Sequence, residues 1–462
     1  MSASAFSKSG FFLTRASGYI SAGLVLATAP VALQAAPVLL ISVDGLRPAD
    51  VLESRKKGLN LPNLQRFVDE GSWAKAVKGV LPTLTYPSHT TLLTGSAPAK
   101  HGVYNNTTFD PYQINHGGWY WYGSDIQTET LWDAAAKAGL TTANVHWPVS
   151  VAATSIQWNL PQIWRSGHGD DAKLLKALAT PGLLNELTED GSIYAAGIDE
   201  SIEADENRTG FAVKLIKLHR PEFMTVYLTA LDHEQHVSGP DSPASRATLE
   251  RIDALIGKLV AAAQAARQDA VVAVASDHGF APIDTEINLF RAFIDAGLIT
   301  LDASGKIASW RAMPWPSGGS AAVVLADRQD PELMSKVASI LDGLKAKPEL
   351  KINAVLNRQK IASQGGNPAA DFYIVFAPGA AASGFKGGAA PLVSVPAYKG
   401  MHGYAPDDAQ MYSTFLIKGQ GIAKGHNLGL IDMRMIAPTL AEVMRARLPD
   451  ADLPALEIED RP

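Results

Sequence analysis

Five short, almost wholly apolar runs constrain this chain more than any other feature. They are residues 37–44 (PVLLISVD), 142–146 (TANVH), 223–232 (FMTVYLTALD), 270–277 (AVVAVASD) and 411–417 (MYSTFLI). A continuous apolar run of this length reads as a strand buried on both faces, not as the alternating strand of a half-exposed sheet. Helical patterns separate the runs. Residues 130–139 (TLWDAAAKAG) end at a glycine suited to a helix stop. Ser242 followed by Pro243 is a cap and a first-turn proline, opening an amphipathic helix to about Gln268. Residues 433–447 read as a last helix. Such alternation predicts an α/β fold, a three-layer α/β/α sandwich around a largely parallel sheet.

The texture changes between residues 283 and 399. Residues 288–297 and 331–345 read as helices, and 321–325, 352–356 and 371–376 as strands. Stretches rich in Gly, Pro and Ala border them. The predicted organisation is therefore a catalytic domain over 37–282 and 400–462 carrying a small α+β insertion over 283–399.

Residues 1–36 have the layout of a secretory signal peptide: Lys8 and Arg15, an apolar run from Ile20 to Leu33, then Ala35 and Ala36. Pro30 interrupts the run, which argues against a retained membrane anchor. Cleavage would remove two cations and no acid, leave no stable membrane span, and give a periplasmic or secreted protein. The net charge of −6 already speaks against binding a nucleic-acid duplex. The chain has no cysteine, which excludes thiolate zinc sites, a catalytic thiol and a disulfide scaffold. Any metal must be held by His, Asp and Glu.

Those residue types gather where an open α/β sheet binds ligands, beyond the carboxyl ends of its strands. Asp44, Asp232 and Asp277 each close a predicted strand. His278 follows Asp277 in SDHG, His236 lies four residues after Asp232, and His402 stands in HGY before the last run. Three carboxylates and three imidazoles suit zinc, or manganese and iron less well, and suffice for two ions with open positions. Residues 82–95 (PTLTYPSHTTLLTG) place Thr85 at a helix start with Pro87 in its first turn. That is a natural anion site, and a metal can convert the threonine hydroxyl into a nucleophile.

In this order, Asp44 in VDGLRP, Thr85 in TYPSH, Asp232 and His236, the SDHG of Asp277 and His278, and the HGY of His402 resemble the nucleotide pyrophosphatase/phosphodiesterase family of the alkaline phosphatase superfamily. The resemblance runs from about Val38 to Met444. It implies an alkaline phosphatase-like fold and two Zn2+, with other divalent ions possible. One zinc would be held by Asp44, Asp277, His278 and the Thr85 oxygen, the other by Asp232, His236 and His402. It implies Thr85 as the nucleophile and Asn106 as the phosphate-binding amide, with Asn105 the alternative. It also puts Tyr86 beside the substrate. The reaction implied is hydrolysis of a small phosphodiester or nucleotide, with a phosphothreonine intermediate and net retention at phosphorus.

The TYP segment has no arginine close by, which favours a diester monoanion over a monoester dianion. Arg47 follows Asp44 closely and reads as a surface salt bridge or a strand-end cap. Trp119 and Tyr122, in the cluster WYWY, are candidate substrate-pocket rings with Tyr86; Trp147 and Trp164 raise the same question. His89, one turn from Thr85, could support the site, and His233 is expected to point away. A phosphonoacetate hydrolase or phosphomonoesterase of the same superfamily is the nearest enzymatic alternative. An inactive binding protein of this fold would have lost ligand positions that are all present here.

Overall fold

Strand β1 (Val38–Val43) shows why the chain layers as it does. All six residues are buried, and they alternate between two separate cores. Leu39, Ile41 and Val43 join one; Val38 and Leu40 join the other. A strand apolar on both faces needs cover on both, and each such side chain stabilises the fold by about 1.5–3 kcal/mol on burial. The computed structural model describes residue 10 and residues 35–115, 118–165 and 167–459. The expected signal peptide lies almost wholly outside them.

Seven further elements position the site. They are α1 (Thr85–Thr94), α2 (Leu131–Lys137), β2 (Thr142–Val145), β3 (Trp158–Leu160), α3 (Ile202–His219), β4 (Phe223–Leu228) and α4 (Ala230–Ser238). Four more complete the frame: α5 (Pro243–Ala266), β5 (Val271–Ala275), β6 (Phe415–Lys418) and α6 (Ile436–Met444). The sheet has eight strands, in the order His426–Asn427, Ser72–Trp73, β6, β5, β1, β4, β2, β3. Strands β5, β1, β4, β2 and β3 run parallel, and β6 runs antiparallel to β5. Helices α3 and α5 cover one face, and α1, α2 and α6 the other. The predicted three-layer sandwich is the observed one.

Helix starts follow local chemistry. Thr130 and Asp133 form a reciprocal capping box on α2. Ser242 Oγ accepts from the Ser245 N–H at 3.1 Å ahead of Pro243 on α5.

One expected strand is shorter, and the difference matters. The run 223–232 leaves the sheet after Leu228, and Asp232 sits in the first turn of α4 instead of at a strand end. The cause is tertiary. The buried Asp205 carboxylate, on α3, accepts from the Thr229 and Ala230 N–H groups, both at 2.9 Å, and so caps a new helix. Run 411–417 also becomes strand only at Phe415, because Ala409–Met411 forms a 3-10 turn.

Beyond β5 lies a second region. Ala312–Pro316, Ser320–Leu325, Phe372–Phe376 and Ile352–Asn357 form an antiparallel four-stranded sheet. Helix Pro331–Lys345 buries Leu333, Val337, Leu341 and Leu344 in its core. The chain returns through Gly400–Met401, which pairs with Pro282 and Ala281, and so delivers His402 to the carboxyl edge of the main sheet.

Candidate metal centre and nucleophile

Asp44 is the first residue after β1; Asp277 and His278 follow β5 by two and three residues. Adjacent parallel strands therefore bring them together. Helix α4 presents Asp232 and His236 on one face, four residues apart. Ligand atoms of Asp232, His236 and His402 lie within 4.8 Å of one another, and so do those of Asp44, Asp232 and His278. Asp277 joins through its Oδ2, 3.1 Å from His278 Nε2. The His278 and His402 rings stack at 3.6 Å, so the two groups touch. The structure thus brings together all six residues singled out from the sequence. Thr85, the first residue of α1, places its Oγ1 3.4 Å from His278 Nε2.

The donor set fits divalent cations on the protein's own geometry. Each imidazole spends Nδ1 on a backbone carbonyl: His278 on Gly279 at 3.1 Å, His236 on Gly400 at 2.9 Å, His402 on Thr83 at 3.1 Å. That arrangement turns every Nε2 toward the cluster. Asp44 Oδ1, Asp232 Oδ1 and Asp277 Oδ2 are buried and take no hydrogen bond among the described residues. Buried anionic oxygens are costly unless something cationic meets them. Two of the other oxygens are held: Asp44 Oδ2 accepts from the Tyr227 hydroxyl, and Asp277 Oδ1 from the Gly45 N–H at 3.2 Å.

Electrostatics agrees. Burial, then repulsion from Asp232 and Asp277, pushes the Asp44 carboxyl well above its ordinary value. Burial, then Glu200 and Asp277, does the same to Asp232. Asp277 is depressed; its burial opposes this, but His278 and His89 outweigh it. Burial lowers His236 to about 4, and burial, with His278 and His236 nearby, holds His402 well below its ordinary value. The His236 and His402 imidazoles are therefore neutral donors near pH 7.

Asn106 Oδ1 accepts from the Tyr86 N–H at 2.9 Å, which fixes the amide against the start of α1. Asn105 is committed elsewhere: its Nδ2 donates to Pro316 O and Ser317 Oγ, both at 3.0 Å. Of the two asparagines, Asn106 is the one bonded to the start of α1. His89 is a supporting residue, with Nδ1 on Thr85 O and Nε2 on Ser42 Oγ, both at 2.8 Å. His233 pairs with Glu200 at 3.5 Å, away from the ligand cluster. Arg47 is consumed by Asp50, Asp241 and Pro240 O, the ion pair expected of it.

The aromatic pocket differs from expectation. Tyr86 is only 1% exposed, and its hydroxyl donates to Gln162 Oε1 at 2.8 Å. Trp119 packs on it at 5.3 Å and stacks on Trp164 at 3.8 Å. Tyr122 is 49% exposed and lies outside this ring group, which Trp164 joins. The sequence showed Trp164 only as a lone aromatic, without the fold that brings it to Trp119.

The family model for type I phosphodiesterase/nucleotide pyrophosphatase matches residues 38–405. Rat ectonucleotide pyrophosphatase/phosphodiesterase family member 3 is 28% identical over 234 residues, 48% of this chain and 22% of the relative. Human bis(5'-adenosyl)-triphosphatase is 27% identical over 271 residues, 57% of this chain and 52% of the relative. The matches to these relatives thus cover between about a fifth and a half of their length. The structure of an inactive murine ectonucleotide pyrophosphatase/phosphodiesterase 5 in complex with AMP shares the fold, with a TM-score of 0.62 at 20% identity, covering 91% of this chain and 96% of that one. The match over residues 38–405, on a fold shared with solved members, places this chain in the type I phosphodiesterase/nucleotide pyrophosphatase family.

Proposed function

We propose that this chain is an exported two-metal phosphodiesterase/nucleotide pyrophosphatase that cleaves small phosphodiester or pyrophosphate substrates through a covalent intermediate on Thr85. One observation carries the reading: three buried carboxylate oxygens that take no hydrogen bond among the described residues and three carbonyl-anchored imidazoles gather beside a threonine hydroxyl at a helix start. Asp44, Asp277, His278 and Thr85 would hold one ion, and Asp232, His236 and His402 the other. The oxygen and nitrogen donors match zinc. When bound, such ions supply Lewis-acid charge neutralisation, making the threonine hydroxyl and a water acidic enough to react.

The chain's own residues do the rest. As the first residue of α1, Thr85 has a backbone N–H with no partner inside the helix, free to receive a phosphoryl oxygen. The Asn106 amide, oriented by its bond from Tyr86, donates to a second non-bridging oxygen. Thr85 Oγ1 attacks phosphorus as the first alcohol departs, leaving a phosphothreonine ester. Water then attacks from the opposite side. Two inversions give net retention. A neutral amide, with Arg47 consumed by other partners, suits the single charge of a diester.

Export is the reading of residues 1–36; among the described residues no helix is long and apolar enough to cross a membrane. The division into a catalytic domain and an insertion over 283–399 is likewise part of this proposal. Purified protein should bind about two divalent ions and hydrolyse bis(p-nitrophenyl) phosphate faster than p-nitrophenyl phosphate. Metal-loaded protein inert toward both, or active only on phosphonoacetate, would overturn the reading.

A further inference from the structure

Three rings pack on one another at the start of α1. Tyr86 is closed in by Trp119, Val103 and Val149, with its hydroxyl on Gln162. The Trp119 and Trp164 rings are near-parallel, 13° apart at 3.8 Å. The backbone of Trp119 is pinned next to Asn106: it bridges Thr107, and the Tyr120 N–H donates to Asn106 O at 3.1 Å. The backbone that carries the indole is thus held beside the amide assigned to the phosphoryl group. A flat ring on the substrate finds the facing surfaces of this pair taken. To stack there it must break the Trp119–Trp164 contact, exchanging one aromatic stack for another of similar strength.

We propose that Trp119 determines specificity by occupying the aromatic slot itself, so that the enzyme gains little from a nucleobase and favours diesters of compact, non-aromatic alcohols. The inference rests on the diesterase reading above and deepens it. Two substrates separate the possibilities: thymidine 5'-(p-nitrophenyl phosphate) and methyl p-nitrophenyl phosphate. Both release p-nitrophenolate from a monoanionic diester and differ only in the retained alcohol. The quantity read is the ratio of their kcat/KM values in one sample, which cancels any loss of folded protein. The wild-type ratio should lie within about threefold of one. In Trp119→Ala and Trp119→Leu it should rise about tenfold, roughly the worth of one base–aromatic stack. A high wild-type ratio that falls in both variants would make Trp119 the stacking platform and overturn the proposal. A ratio unchanged in both variants would overturn it too. Wild type inactive on both esters would instead sink the diesterase reading itself, and this proposal with it.

Discussion

The two ligand groups are held by different parts of the fold. Asp44, Asp277 and His278 grow directly from β1 and β5, at the centre of the sheet, and are 0–3% exposed. Asp232 and His236 ride on α4, and His402 arrives from the far end of the second region; the His236 side chain is 14% exposed. The first group inherits its position from sheet hydrogen bonding. The second depends on added attachments: the Asp205 cap on α4, the buried Arg208–Asp205 pair, and the Gly400 and Thr83 carbonyls. On the proposed reading, the sheet-borne half would carry the nucleophile, which must be aligned with phosphorus, and the half assembled from a helix and a loop would face the departing and entering oxygens.

The largest expected effect is at the nucleophile. Thr85→Ala should lower kcat for bis(p-nitrophenyl) phosphate at least about a thousandfold, while mass-spectrometric metal analysis still finds about two ions. Loss of metal along with activity would mean that the sheet-borne half needs its threonine to hold an ion.

Next is the attachment of the second half. Asp205→Ala strands Arg208, which is 0% exposed, without its carboxylate. Removing one partner of a buried pair costs about 3–5 kcal/mol. Calorimetry should show a clear drop in Tm, and metal analysis a fall from about two ions to about one. Asp205→Asn, which keeps an acceptor for the α4 N–H groups, should fall between. Equal loss of both ions would erase the distinction between the halves.

His89 tests the sheet-borne side. It touches Thr85 O, Ser42 and, at 3.5 Å, Asp277 Oδ2. His89→Ala should weaken the ion of the first group or reduce kcat by about 10–100-fold, with the second group's affinity intact by competitive chelation.

The smallest effect is in the pH dependence. Asp44 and Asp232 are raised by burial and by neighbouring carboxylates. The folded, metal-free protein therefore holds protons that the unfolded chain has released, so its stability falls as pH rises through those raised values. His236 and His402, lowered by burial, act oppositely below about pH 6.5, but they do so with and without metal. Chelation should therefore lower Tm more at about pH 8 than at about pH 6. An equal drop at both would contradict the charge state assigned to the cluster.

Much of the site is legible in the sequence because its signals are local. Apolar runs ending in Asp44 and Asp277 mark strand ends, and the TYP segment marks a helix start at Thr85. What the sequence hides is set by distant partners. Asp232 reads as a strand end because the run before it stays apolar; its helix is started by Asp205, 24 residues upstream of Thr229. Asn105 and Asn106 are adjacent and equivalent as text. Only the second sheet, through Pro316 and Ser317, removes Asn105 from consideration. Tyr86 looks like an open ring until Gln162 and Trp119 close it.

The most direct test is acid quenching of metal-loaded enzyme within one turnover of bis(p-nitrophenyl) phosphate, followed by peptide mass spectrometry. A p-nitrophenyl phosphate adduct on the peptide bearing Thr85, absent in Thr85→Ala, is the expected result. Rapid turnover with no adduct on any quench time, together with inversion at phosphorus in a chiral diester, would contradict a threonine nucleophile.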